Sequence, residues 1–319
     1  MSIRPRSVFG FAVEAAIPLR FLRLGAGRDT LRVDAAPGNE LAYHGSALFE
    51  WKFKDPAGDV SGRLHNADGI YHFWTADAGW FRIDPVARAI TISNEADETR
   101  RELRLWGVPT TLCSIERGDV SLHAAAVEIN GGAVLLAAPG QHGKTTLALA
   151  FHARRYRVLS EDVSCCVPGA TPMLFPGPAS LRVRPDMYGG SPPRGTEVVS
   201  IQPDRVFLRF DEDGAATADP LPLRAVVFLR QCDDQIRLEE INPVRSLPDL
   251  LALTFRVPGV GPTAEAFRRV SELVRATTVW NLYRPLRMDN LETVVATIAT
   301  ELGSESRLGV PTRSPDSES

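Results

Sequence analysis

Cysteine is scarce in this chain. Cys113, Cys165, Cys166 and Cys232 are its only four, and no two stand in the CxxC spacing of a zinc or redox site. That excludes a dense disulfide framework. The thiols, with Cys165 and Cys166 adjacent as on a buried strand, are expected to be reduced and the protein cytoplasmic. Long apolar runs are missing too. No stretch of about 18 apolar residues occurs, so no membrane-spanning helix is expected. The opening MSIRPRSVFGFAVEAAIPLRF has no small-residue cleavage site after a long apolar core, and no signal peptide is expected. Nor is there an excess of one charge. Lys and Arg number 36 against 39 Asp and Glu, a formal net charge of −3, with no long basic run. That balance argues against a nucleic-acid or membrane partner. No internal repeat is present. A chain of 319 residues has room for one to two domains with a sizeable core.

What is there falls into two parts and a tail. Residues 1–118 are expected to form a β-rich N-terminal domain. The segments VFGFAVEAAI, DTLRVDA, ALFEWKF, GIYHFWTA and GWFRIDPVARAITIS put β-branched, apolar and aromatic residues between turn signals. Ala67-Asp68-Gly69 and Asp84-Pro85 are such turns. Tyr71, Phe73, Trp74, Trp80 and Phe81 fit a core better than a base-stacking platform. A helix is expected from about Glu95, capped by Asn94 and interrupted near Pro109.

Residues 119–302 read as an α/β domain. Asn130-Gly131 between SLHAAAVEI and GAVLLAA is the strongest short hairpin turn. A helix is expected from about Lys144 to Arg154, with Leu147 and Phe151 on one face, and YRVLSED then reads as a short strand. Residues 167–225 are rich in Pro and Gly, with 189–196 a mobile loop in expectation. LRAVVFLR reads as a buried strand; PVRSLPDLLALTF, AEAFRRVSELVRA and NLETVVATIATEL read as helices. Residues 303–319 are polar and expected to be disordered.

The most informative stretch is APGQHGKTT, residues 138–146. Between the apolar strand VLLAA and an apolar helix, a Gly-rich turn directs backbone N–H groups and a helix N-terminus at a phosphate. Gly140, Gln141, His142, Gly143, Lys144, Thr145 and Thr146 are the candidate nucleotide contacts. Lys144 would reach the outer phosphates and the Thr145 hydroxyl would ligate Mg²⁺. The GxxxxGK[ST] pattern is one glycine short, because Ala138 holds its first position. Pro139 offers no N–H, so the cradle must begin at Gly140.

Three side chains beyond the loop belong to the candidate site. Asp162 follows the next strand, whose end should converge with the loop, and a carboxylate there can accept a hydroxyl proton or hold Mg²⁺. Glu161 is a candidate metal-linked acid, although alternation along a strand would point it away from Asp162. His123 lies on the first strand of the hairpin, flanked by small alanines that let a neighbour approach. His142 is expected to shape the loop or meet a ribose. Arg182 and Arg184 alternate on a strand in SLRVRP, where either a phosphate contact or an exposed edge would explain them.

The run H-A-x-x-V…A-P-G-x-x-G-K-T-T-L-A…Y-R-V-L-S-E-D resembles the catalytic core of the HPr serine kinase/phosphorylase family. It is most similar to the HPr-kinase-like proteins encoded with peptide-modifying enzymes, including lasso-peptide kinases. FG-x-x-V-E-x-x-I-P-L (residues 9–19), PLPLRAVVFL and the YRPL segment (283–286) extend the likeness. The resemblance implies a P-loop kinase domain behind a β-rich one, with ATP and Mg²⁺ as cofactors. It implies His123 beside the γ-phosphate, Lys144 on the phosphates, Thr145 on the metal and Asp162 as proton acceptor from the substrate hydroxyl. Glu161 stands where the family has another Asp. FPGPASLRVRP (175–185) lacks the acid of the LEIRGLG-type signature, so neither HPr as substrate nor the reverse phosphorylase reaction is implied. The implied acceptor is a Ser or Thr hydroxyl of a peptide or small protein, such as a ribosomal precursor peptide. A small-molecule kinase and a nucleotide-binding sensor without transfer stay open, as does the oligomeric state.

Overall fold

The computed structural model describes residues 5–52, 60–140, 142–211, 217–257 and 264–303. Of the tail 303–319, expected to be disordered, Gly303 ends the last helix and 304–319 lie outside the described residues. The first sheet opens with β1 (Arg6–Val8), β2 (Phe11–Ala15), β3 (Arg23–Leu24) and β4 (Asp29–Ala36). A single turn, α1 (Gly38–Leu41), leads to β5 (Ala47–Trp51). β6 (Gly62–Ala67), β7 (Ile70–Thr75), β8 (Gly79–Asp84) and β9 (Ala89–Ser93) complete it as a meander. The order across it is β3-β1-β2-β4-β9-β8-β7-β6-β5. Asp68 (φ 52°) and Gly69 (φ 86°) make the β6–β7 turn, both left-handed as a two-residue hairpin requires. Alternation buries Leu31 with Val33, Phe81 with Ile83, and Ile90 with Ile92. The strand β6, GRLHNA, carries little β-propensity of its own; it is held by ladders to β5 and β7.

Two helices close this sheet, and the first starts later than expected. α2 (Glu98–Leu105) starts after Asp97, whose carboxylate accepts the Arg100 N–H at 2.9 Å. Asn94 is no cap, and its own N–H is spent on Ala36. The interruption expected near Pro109 falls at Trp106-Gly107, and Pro109 sits in the first turn of the second helix, α3 (Val108–Arg117), where its missing N–H costs nothing. Leu105, Trp106, Leu112 and Cys113 join the core of the first sheet. Glu102 is buried and accepts the N–H groups of Arg20 and Phe21 at 2.7 and 2.8 Å.

The remaining chain begins with β10 (Val120–Leu122), β11 (Ala124–Ile129) and β12 (Gly132–Ala137). Then come α4 (Lys144–Ala153), β13 (Val158–Ser160), β14 (Ser164–Val167) and β15 (Met173–Phe175). β16 (Ser180–Val183), α5 (Pro185–Tyr188), β17 (Thr196–Ile201) and β18 (Val206–Phe210) follow. After β19 (Leu221–Gln231) and β20 (Arg237–Ile241) a short 3-10 turn leads to α6 (Leu247–Leu253). α7 (Ala264–Arg275), β21 (Thr278–Arg284) and α8 (Leu291–Gly303) end the described chain.

In the second sheet β19 lies between β12 and β21 and runs parallel to both. β11 and β13 extend it on one side and β20 on the other, all antiparallel to their neighbours. Between β11 and β12 Asn130 (φ 47°) and Gly131 (φ 70°) form the expected hairpin turn. One face packs Val127, Val134 and Leu136 on Leu147 and Phe151 of α4 and Ile298 of α8. The other packs Ala126, Leu135 and Phe228 on Leu250, Val270 and Leu273 of α6 and α7. Strands covered on both faces read as unbroken apolar runs, which is why GAVLLA and VVFL do. The protein is thus an α/β protein with two large mixed sheets.

In the Pro- and Gly-rich stretch the strand expected at SLRVRP is β16, and the loop expected at 189–196 runs from α5 into β17. β16, β18 and β17 form a separate three-stranded sheet. Leu181, Val183, Val206, Leu208 and Phe210 join the core under α4, while Gly189, Gly190 and Gly195, all at positive φ, occupy the turn. Arg23 joins the first sheet to the second. Fully buried, it donates to the carbonyls of Gly177 and Val158 at 2.7 and 2.9 Å, and burial, with Arg157 nearby, pulls its pKa down to about 9. Among the described residues no helix is long and apolar enough to cross a membrane. All four cysteines are free.

Candidate functional site

The C-terminal ends of β12, β19 and β21 lie on one edge of the second sheet, and ligands of such sheets bind beyond those ends. The loop of residues 138–143 leaves β12 there. Gly143, at φ 79° and ψ 25°, turns it into α4, a left-handed conformation that glycine adopts without strain. The loop lines a cleft of about 740 Å³. Of the seven loop candidates, Gly140, Gly143, Lys144, Thr145 and Thr146 line this cleft. The His142 ring bonds back to the carbonyl of Gly140 at 2.8 Å, shaping the loop. Gln141 lies outside the described residues.

The buried Lys144 ammonium donates to the carbonyls of Ala138 and Pro139 at 2.7 and 3.1 Å and to His123 Nε2 at 2.9 Å. A histidine nitrogen that faces an ammonium must accept, so the proton sits on Nδ1. Nδ1 in turn lies 3.2 Å from Asp162 Oδ1. The other oxygen of Asp162 takes Arg182 Nη2 at 2.7 Å. Arg182 Nε donates to Glu161 Oε2 at 3.0 Å, and the remaining oxygen of Glu161 accepts the Thr145 hydroxyl at 2.8 Å. Since Lys144 and Thr145 are neighbours, these contacts close into a circuit: Lys144, His123, Asp162, Arg182, Glu161, Thr145.

Local structure explains why two consecutive acids both enter it. Alternation predicts opposite faces, but β13 stops at Ser160, and Glu161 and Asp162 lie in the bend beyond, where alternation no longer holds. The bend is pinned by Ser160 Oγ against Ser164 Oγ at 2.6 Å and by Ser164 on the carbonyl of Ala124 at 2.9 Å. His123 sits at the break between β10 and β11 rather than on a strand, its N–H held by the Leu253 carbonyl at 2.8 Å. The side chains of Asp162 and His123 are 39% and 31% exposed and that of Glu161 only 8%. An incoming group can therefore approach Asp162, whereas Glu161 faces the loop.

Charge is distributed accordingly. Burial is the largest influence on Asp162 and raises it, but Arg182, His123 and Lys144 together outweigh it and hold the carboxyl below its ordinary value. Burial lowers His123 below 6.5, which keeps the ring neutral near pH 7. Burial likewise lowers Lys144, against the pull of Asp162 and Glu161. Arg182 is raised, first by Glu161, and stays a cation. The donor set also bears on a metal. Among the described residues no group of three or more His, Cys, Asp or Glu could hold one. Thr145 and Glu161 present a hydroxyl and a carboxylate oxygen in contact, which suits Mg²⁺, an ion that takes one or two protein oxygens and fills its shell with water and phosphate.

Two residues of the cleft were not singled out in the sequence, or were left undecided there. Arg182, equally explicable as an edge arginine, is clamped between both acids, while Arg184 ends β16 and pairs with Asp186 at 2.7 Å. Arg284, seen only as part of a YRPL segment, stands at the end of β21 against the loop. It is 2% exposed and donates Nη2 to the His142 carbonyl at 3.2 Å. A Cβ on Gly143 would lie 2.6 Å from that nitrogen, so a larger residue there would have to displace the guanidinium. No local signal marks either arginine, since each acts on residues far away in sequence.

No protein-family model and no curated protein matches the sequence. Among solved structures the chain is similar to the Hpr(Ser) kinase/phosphatase from Coxiella burnetii. The identity is 13% and the TM-score 0.31, over 58% of this chain and 99% of that one.

Proposed function

We propose that this chain is an ATP- and Mg²⁺-dependent phosphotransferase that phosphorylates a Ser or Thr hydroxyl of a peptide or small protein. In this reading residues 119–302 are a P-loop kinase domain of the HPr serine kinase/phosphorylase type, like those encoded with lasso-peptide enzymes, and residues 1–118 are its β-rich companion. The observation that carries it is the circuit from Lys144 to Thr145. It sets a cation, a neutral histidine, an approachable carboxylate and a hydroxyl–carboxylate pair around the N-terminus of one helix.

Each residue then has a task. The loop N–H groups from Gly140 onward and Lys144 hold the β- and γ-phosphates. Thr145 and Glu161 hold Mg²⁺, which when bound neutralises charge on the phosphate oxygens. Asp162 receives the acceptor's proton as the hydroxyl oxygen bonds to the γ-phosphorus and the bond to the departing ADP oxygen breaks. His123, fixed between Lys144 and Asp162, keeps the base oriented and the ammonium in place. Arg182 keeps Asp162 ionised. Positioning and charge, rather than covalent catalysis, carry the step.

The test uses γ-labelled ATP, Mg²⁺ and a panel of Ser- and Thr-containing peptides. Label is expected on a hydroxyl in the wild type. Lys144→Ala, with an unchanged circular dichroism spectrum, is expected to lose nearly all transfer. Full transfer by Lys144→Ala would remove the loop from the mechanism; ATP binding with no labelled acceptor would leave a nucleotide sensor.

A further inference from the structure

A buried cation needs a counter-charge or pays heavily in desolvation. Two arginines of the cleft, Arg182, 31% exposed, and the buried Arg284, differ in this respect. Arg182 has Glu161 and Asp162. Arg284 has neither: among the described residues no carboxylate pairs with it, and burial alone pulls it down from the ordinary arginine value. Its Nε is buried without a hydrogen-bond partner, and only the His142 carbonyl takes a proton from Nη2. It nonetheless lines the cleft beside Gly143 and the first turn of α4. Two and four residues further along, Leu286 and Met288 are apolar yet 44% and 56% exposed on the cleft wall.

We infer that Arg284 is a phosphate-binding residue whose missing counter-charge is the polyphosphate chain of a nucleoside di- or triphosphate. The inference rests on the nucleotide reading of the loop. Lys144 is tied to the carbonyls at the loop's start and Arg284 to the one at its end, so a polyphosphate laid along the loop meets a cation at each end. Arg284 contributes a planar fork able to give two parallel bonds to phosphate, where Lys144 is a point charge. The exposed Leu286 and Met288 beyond it give an apolar surface to whatever the polyphosphate is attached to, which suits a nucleoside and not a free phosphate.

The experiment measures binding of ATP, ADP and inorganic tripolyphosphate by calorimetry at several salt concentrations, for wild type, Arg284→Gln and Arg284→Lys. Arg284→Gln is expected to weaken all three ligands by a similar factor, on the order of 10- to 100-fold, the scale of losing one charge-assisted bond. Arg284→Lys should fall between. The salt dependence of wild-type binding should be steeper than that of Arg284→Gln, because one cation fewer meets the ligand. Wild-type affinity in a folded Arg284→Gln protein overturns the inference, as does a loss confined to ATP and ADP, which would place Arg284 on the nucleoside. Absence of binding by the wild type overturns the nucleotide reading instead. Should Arg284→Gln not fold, the Nε–H resonance of Arg284 in wild type, assigned by its disappearance in Arg284→Lys, decides. It must shift when tripolyphosphate is added, and an unmoved resonance overturns the inference.

Discussion

The two walls of the cleft are built on opposite electrostatic plans. On one, Glu161 and Asp162 are matched by Arg182 and, through the neutral His123 ring, by Lys144, so two carboxylates and two cations answer each other inside the protein. On the other, Arg284 is more deeply buried than Arg182, His123 or Asp162 but has no acid beside it among the described residues. A satisfied network is rigid and keeps its carboxylate ionised and oriented until a proton arrives, which is what a proton acceptor requires. An unsatisfied cation is a standing attraction for an anion, which is what a binding residue requires. The difference separates the wall suited to chemistry from the wall suited to grip.

The sharpest way to break the comparison is Asp162→Asn, which keeps the side chain's size and removes its proton-accepting charge. Turnover in single-turnover phosphorylation should fall by about 10²–10⁴-fold, the usual range for a positioned general base, while ATP affinity by calorimetry persists. Arg284→Gln should do the reverse, losing affinity first. If both variants lose binding and turnover alike, the division between the walls is wrong.

A smaller effect tests the matching itself. Arg182 contributes to holding the Asp162 carboxyl down, so removing its charge must raise that pKa. In Arg182→Gln the acid limb of the kcat/KM profile should move to higher pH by about one to three units, the span of a neighbouring opposite charge. A limb that stays in place, or moves down, would show that Asp162 is not the group titrating.

The smallest expected effect is on stability. Burial holds His72, His123 and His152 below their ordinary value of 6.5. Below that pH the unfolded chain binds more protons than the folded one, so stability falls as pH drops. Asp162, held below 3.8, loses its contribution only at still lower pH. The melting temperature should therefore decline from pH 7.5 to 5.5, and a flat or rising profile would contradict the buried, neutral histidines.

Much of the local structure was legible before any coordinates. Asn130-Gly131 can take positive φ at both central turn positions, so the β11–β12 hairpin follows from two residues. The apolar run before GKTT and the spacing of Leu147 and Phe151 mark β12 and α4 in the same local way. The start of α2 was misplaced because Asn94 and Asp97 are both good caps, and only the ladder that takes the Asn94 N–H decides between them. Of the three-stranded sheet only SLRVRP reads as a strand, because Pro and Gly in the turns mask the alternation of Val206 and Leu208.

By itself the sequence determined what depends on backbone freedom and periodicity: the hairpin turn, the loop that bends at Gly143, the helix that follows, and the strands that sheets bury on both faces. Only the tertiary structure decided that Glu161 and Asp162 both face the cleft, because that depends on where β13 ends and on Ser164 reaching back to Ala124. It alone set Arg182 between the acids and Arg284 against the loop. A side chain's counter-charge is fixed by what long-range folding brings within about 4 Å, the reach of an ion pair, and no local pattern of residues carries that distance.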